Sequence, residues 1–207
     1  GEAGAFSEQA VFEYFGSVES TSCESFEAVF DAINSGKCEA GIIPIENSLA
    51  GSIHQNYDLL LRNNLHIVGE YLLRVRHCLI VNPGVKKADI KKAISHPQAL
   101  GQCAGYLRSH KIKAEQGLDT AGSVKALKEL GARDVAAIAS RHAAELYGMQ
   151  ILEEGIEDNA ENYTRFLAIQ REPKIPEGEA KTSIVFTLNN VPGALFKALS
   201  VFALRDI

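Results

Sequence analysis

The sequence predicts an α/β protein whose strands run mainly parallel. Strand-like and helix-like segments alternate along almost the whole chain, the pattern of strand–helix–strand units. Cys78–Val81 is apolar at every position, as expected of a strand covered on both faces. The helix-like segments also carry start and stop residues where such units need them.

The elements follow in order. Ser7 is expected to cap a first helix, with Ala10, Val11, Tyr14 and Phe15 on one face and Gly16 as its stop. Ser25 is expected to cap a second. There Phe26, Val29, Phe30 and Ile33 fall at i, i+3, i+4 and i+7, and Gly36 closes it. Ala40–Ile45 reads as a strand interrupted by Pro44, His54–Asn63 as a helix and His66–Leu73 as a strand. Pro83-Gly84 marks a turn. Ala93-Ile94 is a short strand, Pro97 opens a helix, and Ile112–Glu115 is another strand. Val124, Leu127 and Leu130 line a helix ending at Gly131. Val135–Ala139 is a strand, Ser140 caps a helix ending near Gly148, and Tyr163–Gln170 is a strand of alternating character.

Beyond it, EPKIPEGEAK (Glu172–Lys181) reads as a linker. TSIVFTL (Thr182–Leu188) then suggests a strand, and ALFKALSVFALRDI (Ala194–Ile207) an amphipathic helix. One strand and one helix cannot bury a core, so a second domain is expected to be incomplete. Gly1–Ala5 likewise reads as a strand-to-helix turn without its preceding strand.

Composition narrows the function. Hydrophobic residues make up 46% and charged residues 23%, as in ordinary globular proteins. A net charge of −5 argues against a nucleic-acid surface but leaves a small anionic ligand open. No apolar run is long enough for a membrane span, and no export signal opens the chain. Cys23, Cys38, Cys78 and Cys103 lack zinc-site spacing and read as buried, reduced thiols. There is no H-E-x-x-H, GxGxxG, Walker A or G-x-S-x-G pattern.

In open α/β sheets, ligands bind beyond the carboxyl ends of strands, where helix N-termini favour anions. Three segments lie at such places. Ile45–Ser52 is rich in small donors and suits an anion-binding nest, although Asn47 and Ser48 equally suit a capped turn. Ser95–Gln102 puts Gln98 and Gln102 on one helix face, which solvent-exposed glutamines would also do. In Asn162–Phe166, Thr164 and Phe166 face one way and Tyr163 and Arg165 the other; a strand threonine is ordinarily a packing residue.

Read together, GAFSEQA, IPIENSLAGSIHQNYDLL, HIVGEYLL, HCLIV, SHPQALGQC, AAIAS with AAELYGMQIL, and NYTRF resemble the prephenate/arogenate dehydratase family in order and spacing, over nearly the whole chain. The resemblance implies a two-lobed catalytic domain like the type 2 periplasmic binding proteins, over residues 1–172. Lobe one would hold about 1–75 and 150–172, and lobe two 76–149, followed by a linker at 173–181. Residues 182–207 resemble the start of a ferredoxin-like ACT regulatory domain, with Gly193, Ala194, Leu195 and Phe196 as its GALF effector motif.

The implied reaction is the decarboxylating dehydration of prephenate to phenylpyruvate, or of arogenate to phenylalanine, without metal or cofactor. Thr164 would be the general acid, its developing alkoxide favoured by a nearby helix N-terminus. Asn47 and Ser48 would hold a substrate carboxylate. Ser95 and Gln102 would orient the ring or its hydroxyl, and Arg165 belongs to the same motif on the opposite face. L-Phenylalanine would be the effector of the intact protein, a dimer or tetramer in the cytoplasm, or in the plastid stroma of a plant or alga. Stretches such as LFKALSVFALRDI resemble plant and algal members and tilt toward arogenate or use of both substrates. The competing readings are a solute-binding module of the same fold and an amino-acid sensor.

Overall fold

The computed structural model describes residues 1–207, in two units: Gly1–Lys174 and Ile175–Ile207. The first unit holds two sheets, each in its own lobe.

Lobe one begins with α1 (Phe6–Phe15) and α2 (Phe26–Asn34), followed by β1 (Ala40–Asn47), β2 (Gly51–Ser52), α3 (His54–Arg62) and β3 (His66–Arg74). Ser25 caps α2 as expected, its Oγ accepting the Ala28 N–H at 3.1 Å. Ser7 does not cap α1. The helix starts two residues earlier than that cap implies, after Ala5, and the Glu8 carboxylate reaches back to accept the Gly4 N–H at 2.6 Å. Phe30 and Ile33 of α2 pack on Ile43 and Ile45 of β1. The fit is close at Gly41, where a Cβ would lie 2.8 Å from Ile33 Cδ1 and from Val29 Cγ1. Pro44, which has no N–H to donate, sits at a bulge in β1, where the register shifts before Glu46.

Lobe two contains β4 (Cys78–Val81), β5 (Lys92–Ser95), α4 (Pro97–Gln102), α5 (Ala104–Ser109), β6 (Lys113–Gln116), α6 (Thr120–Leu130), β7 (Val135–Ala139), α7 (Arg141–Tyr147) and β8 (Gln150–Glu154). Ser140 caps α7, accepting the Ala143 N–H at 3.0 Å. Val124 and Leu127 of α6 are buried, but Leu130, expected on the same stripe, is 69% exposed in the last turn. Cys78 and Cys103 are buried, and burial pushes both thiols up, Cys78 to about 12. Cys23 and Cys38, expected to be buried, are only half-buried.

The chain returns to lobe one as β9 (Tyr163–Gln170), giving the orders β2-β1-β9-β3 and β6-β5-β7-β4-β8. β5 runs parallel to β6 and β7, and every other pairing is antiparallel. The expectation of mainly parallel strands therefore fails, for a definite reason. β1 and β3, joined through α3, do point the same way, as do β7 and β8, joined through α7. In each pair a strand from elsewhere in the chain is inserted, β9 in one and β4 in the other, antiparallel to both neighbours.

The lobe boundary also moves. Residues 150–154, assigned to lobe one from the sequence, form β8 and pair with β4 in lobe two. The chain crosses between lobes at 75–77 and again at 155–162. The two crossings are bonded to each other: Val75 N–H to Asn162 O (2.7 Å), and Gly155 N–H to His77 O (2.9 Å).

The second unit contains α8 (Ala194–Ala203). Thr182–Leu188, expected as a strand, forms none. A strand needs a bonded neighbour, and this segment has none; Val185 is 58% exposed.

Candidate active site

β1 and β9 lie side by side, with Asn47 directly opposite Thr164. The Asn47 side chain works in two directions. Its Oδ1 accepts the N–H groups of Leu49 (3.0 Å) and Ala50 (2.9 Å), an Asx turn that folds the chain back into β2. Its Nδ2 faces Asn162 Oδ1 (2.9 Å), Tyr163 O (3.1 Å) and Thr164 Oγ1 (3.0 Å). An amide nitrogen has two hydrogens, so three acceptors compete for them.

Thr164 is 9% exposed, and its oxygen accepts from Asn47. No group of the chain accepts the Thr164 hydroxyl proton, which leaves it available to a ligand. The donor on this oxygen is the Asn47 amide.

Ser48 is occupied by the protein itself. Its Oγ donates to Glu161 O (2.8 Å) and accepts the Tyr163 N–H (2.9 Å), fastening the turn to the second crossing. With the Leu49 and Ala50 N–H groups taken by Asn47, the expected anion nest at this turn is largely filled from within.

On the lobe-two side, Ser95 is fully buried and donates to Ile138 O at 2.6 Å, bridging β5 and β7. The cap of α4 is His96, whose Nδ1 accepts the Gln98 N–H at 3.2 Å. Gln102, in the last turn of α4, touches both crossings. Its backbone oxygen accepts the Asp158 N–H (2.7 Å), and its Oε1 lies 2.7 Å from His77 Nε2. Arg165 faces away from Thr164 and pairs with Glu70, at 2.8 Å through Nε and 2.7 Å through its guanidinium end.

The structure thus brings Asn47 and Thr164 into direct contact and seats Gln102 against the crossings. Ser95 and Arg165 are held by bonds of their own. Gly193 sits in the left-handed region at the start of α8, and a shallow cavity runs from Leu188 to Phe196. No cluster of three or more His, Cys, Asp or Glu side chains is placed to hold a metal ion.

Residues 1–174 match the prephenate dehydratase family. The chain belongs to that family. It is 52% identical over 209 residues to arogenate dehydratase/prephenate dehydratase 1, chloroplastic, of Arabidopsis thaliana, covering 100% of this chain and 53% of that protein. The prephenate dehydratase of Arthrobacter aurescens, solved in complex with L-Phe, superposes with a TM-score of 0.85 at 30% identity, over 99% of this chain and 71% of that one. A structure described as GqqA, a novel type of quorum quenching acylase, superposes with the same TM-score of 0.85 at 34% identity, over 99% of this chain and 75% of that one. The chain spans about half the length of the curated relatives it matches.

Two polar residues within the HCLIV and NYTRF stretches were given no role of their own from the sequence. Asn162 is fully buried: its Oδ1 receives Asn47, and its Nδ2 has no partner. His77 is 2% exposed with Nδ1 unpartnered, and burial holds the ring below the usual histidine range against the opposing pull of Gln102 and Glu157. The sequence did carry a signal for each. His77 abuts a strand with no other polar residue, and Asn162 opens the segment that carries Thr164.

Proposed function

We propose that this chain catalyses the decarboxylating dehydration of prephenate or arogenate, with Thr164 as the general acid. The observation that carries the reading is a nearly buried threonine hydroxyl whose oxygen receives the Asn47 amide while its proton has no acceptor.

The reaction balances as one fragmentation. The carbon–carboxylate bond breaks and its electron pair enters the ring. The ring carbon–oxygen bond breaks, and the departing hydroxide takes the Thr164 proton to leave as water. Aromatisation supplies driving force. The protein supplies position, one proton and a donor for the threonine oxygen as charge develops on it. A threonine is a weak acid, but hydroxide is a strong base, so a short hydrogen bond suffices to assist departure. Gln102 is read as a contact to substrate oxygen. Ser48 and Ser95, each bonded within the protein, are read as supporting residues, and Arg165 as part of the scaffold through Glu70.

We also propose that 173–181 is a linker and that 182–207 begins an ACT-like regulatory module. L-Phenylalanine would be received at Gly193–Phe196, where the shallow cavity lies. The separate unit from Ile175 onward supports this reading. The chloroplastic names of relatives that are 52% and 49% identical support a plastid location.

The test is direct. Purified protein is incubated with prephenate and, separately, arogenate, and phenylpyruvate and phenylalanine are measured. Turnover of at least one substrate is expected. Because one structural neighbour is described as an acylase, release of a free acid from an acyl amide is assayed in parallel. Hydrolysis there with no turnover of either cyclohexadienol would overturn the proposal.

A further inference from the structure

We infer that His77 is a positioning residue for Gln102, fixing its amide so that the NH2 end, not the carbonyl, is offered to the substrate. The inference rests on the reading of Gln102 as a substrate contact and goes beyond it by assigning what sets that contact's polarity.

A glutamine amide has a donor end and an acceptor end of nearly the same shape. Left alone, it offers either end to a ligand. A carboxylate or hydroxyl oxygen carrying lone pairs needs the donor. Here the choice is made from behind. Gln102 Oε1 lies 2.7 Å from His77 Nε2, and a carbonyl oxygen only accepts, so that nitrogen must carry hydrogen. The opposite assignment would set lone pair against lone pair. With Oε1 engaged, Nε2 of the amide becomes the free end, and it donates to no group of the chain.

Both residues are anchored so that neither can drift. The His77 N–H donates to Glu157 Oε2 at 2.9 Å, and the His77 carbonyl accepts from Gly155 (2.9 Å) and Ile156 (3.2 Å). Phe6 meets the ring edge-on, with centroids 5.5 Å apart and planes at 82°. Gln102 is pinned at its own carbonyl by Asp158 N–H. His77 Nδ1 is buried and meets neither a donor nor an acceptor, so the ring's one polar contact within the protein is through Nε2. No other group of the chain hydrogen-bonds to the ring, so packing alone would be met as well by phenylalanine.

The experiment compares His77→Phe, His77→Gln and His77→Asn, each alone and with Gln102→Ala, by kcat/KM on whichever cyclohexadienol the wild-type protein turns over. A glutamine at 77 places an amide NH2 near the lost Nε2; an asparagine places it near Nδ1. His77→Phe is expected to lower kcat/KM roughly 10-fold, about the size of one hydrogen bond. His77→Gln should recover to within about threefold of wild type, and His77→Asn should not recover. His77→Phe should add nothing once Gln102 is alanine. Nitrogen-15 spectra of the wild-type ring should show the proton on Nε2.

If the two changes multiply, if the glutamine and phenylalanine variants fall equally, or if the proton sits on Nδ1, the inference is wrong while the proposed reaction stands. Should the wild-type protein turn over neither substrate, the reaction itself is refuted and the inference falls with it. If His77→Phe does not fold, the glutamine–asparagine pair and the ring spectrum still decide the matter.

Discussion

At the scale of single residues, the arrangement turns on how one amide spends its atoms. The Asn47 oxygen closes a turn and its nitrogen faces three acceptors with two hydrogens, Thr164 among them. From the motif alone, Asn47 reads as an anchor for a substrate carboxylate. Its side chain is instead 8% exposed and fully engaged inside the protein. We propose that Asn47 instead supports the Thr164 oxygen as it gives up its proton. Asn47→Ala is therefore expected to lower kcat by ~10²–10³, the cost of losing one preorganised donor, with KM little changed. Steady-state kinetics on a variant shown by circular dichroism to be folded would decide. A raised KM at unchanged kcat would return Asn47 to the anchor role.

At the scale of elements, what the sequence tells depends on how far apart the partners are. Local signals read well. Ser25 and Ser140 cap the helices they precede, and the uninterrupted apolar run Cys78–Val81 is a strand buried throughout. Where the signal is weak or the partner remote, the reading fails. β8 is an edge strand with every residue half-buried, so its pattern has neither alternation nor a continuous apolar run. The insertion of β9 between β1 and β3 joins residues more than a hundred positions apart, as in Asn47 and Thr164, and no periodicity reports such a pairing. The candidate site has the same limit. Its motif residues are legible one by one through the family resemblance. That Asn47 serves Thr164, that Ser95 is committed to Ile138 and that His77 stands behind Gln102 follow only from strand order and crossing geometry. Thr182–Leu188 has strand composition but no neighbour to bond with.

At the scale of the whole first unit, the N-terminal arm ties the lobes together. α1 packs on lobe one through Ala10, beside Ile42, Leu73 and Phe166. The residues before and within it also reach lobe two. Gly4 O accepts from Ser140 Oγ at 2.7 Å, and a Cβ at Gly4 would lie 3.0 Å from Ala143 Cα. His142 of α7 meets Glu8 at 3.0 Å and the edge of Phe12. Burial pushes the Glu8 carboxyl up, but hydrogen bonds from Gly4, Ser20 and His142 outweigh it and hold the group below its ordinary 4.5. A depressed carboxyl stabilises the fold above its unfolded value and ceases to do so as pH falls through its folded one. Glu8→Gln should thus cost ~1–3 kcal/mol at pH 7. The gap to wild type should close as pH drops below about 4.5, which urea melts across that range would show. A gap unchanged from pH 7 to the acid end would mean that the Glu8 charge does not hold the lobes.

The proposed reaction depends above all on the Thr164 proton. The most direct measurement is turnover of Thr164→Val, which keeps the shape and removes the hydroxyl, beside Thr164→Ser, which keeps the hydroxyl. The valine variant is expected to lose ~10²–10⁴ in kcat while still binding substrate, and the serine variant to retain most of the activity. Valine turning over at the wild-type rate would contradict the account.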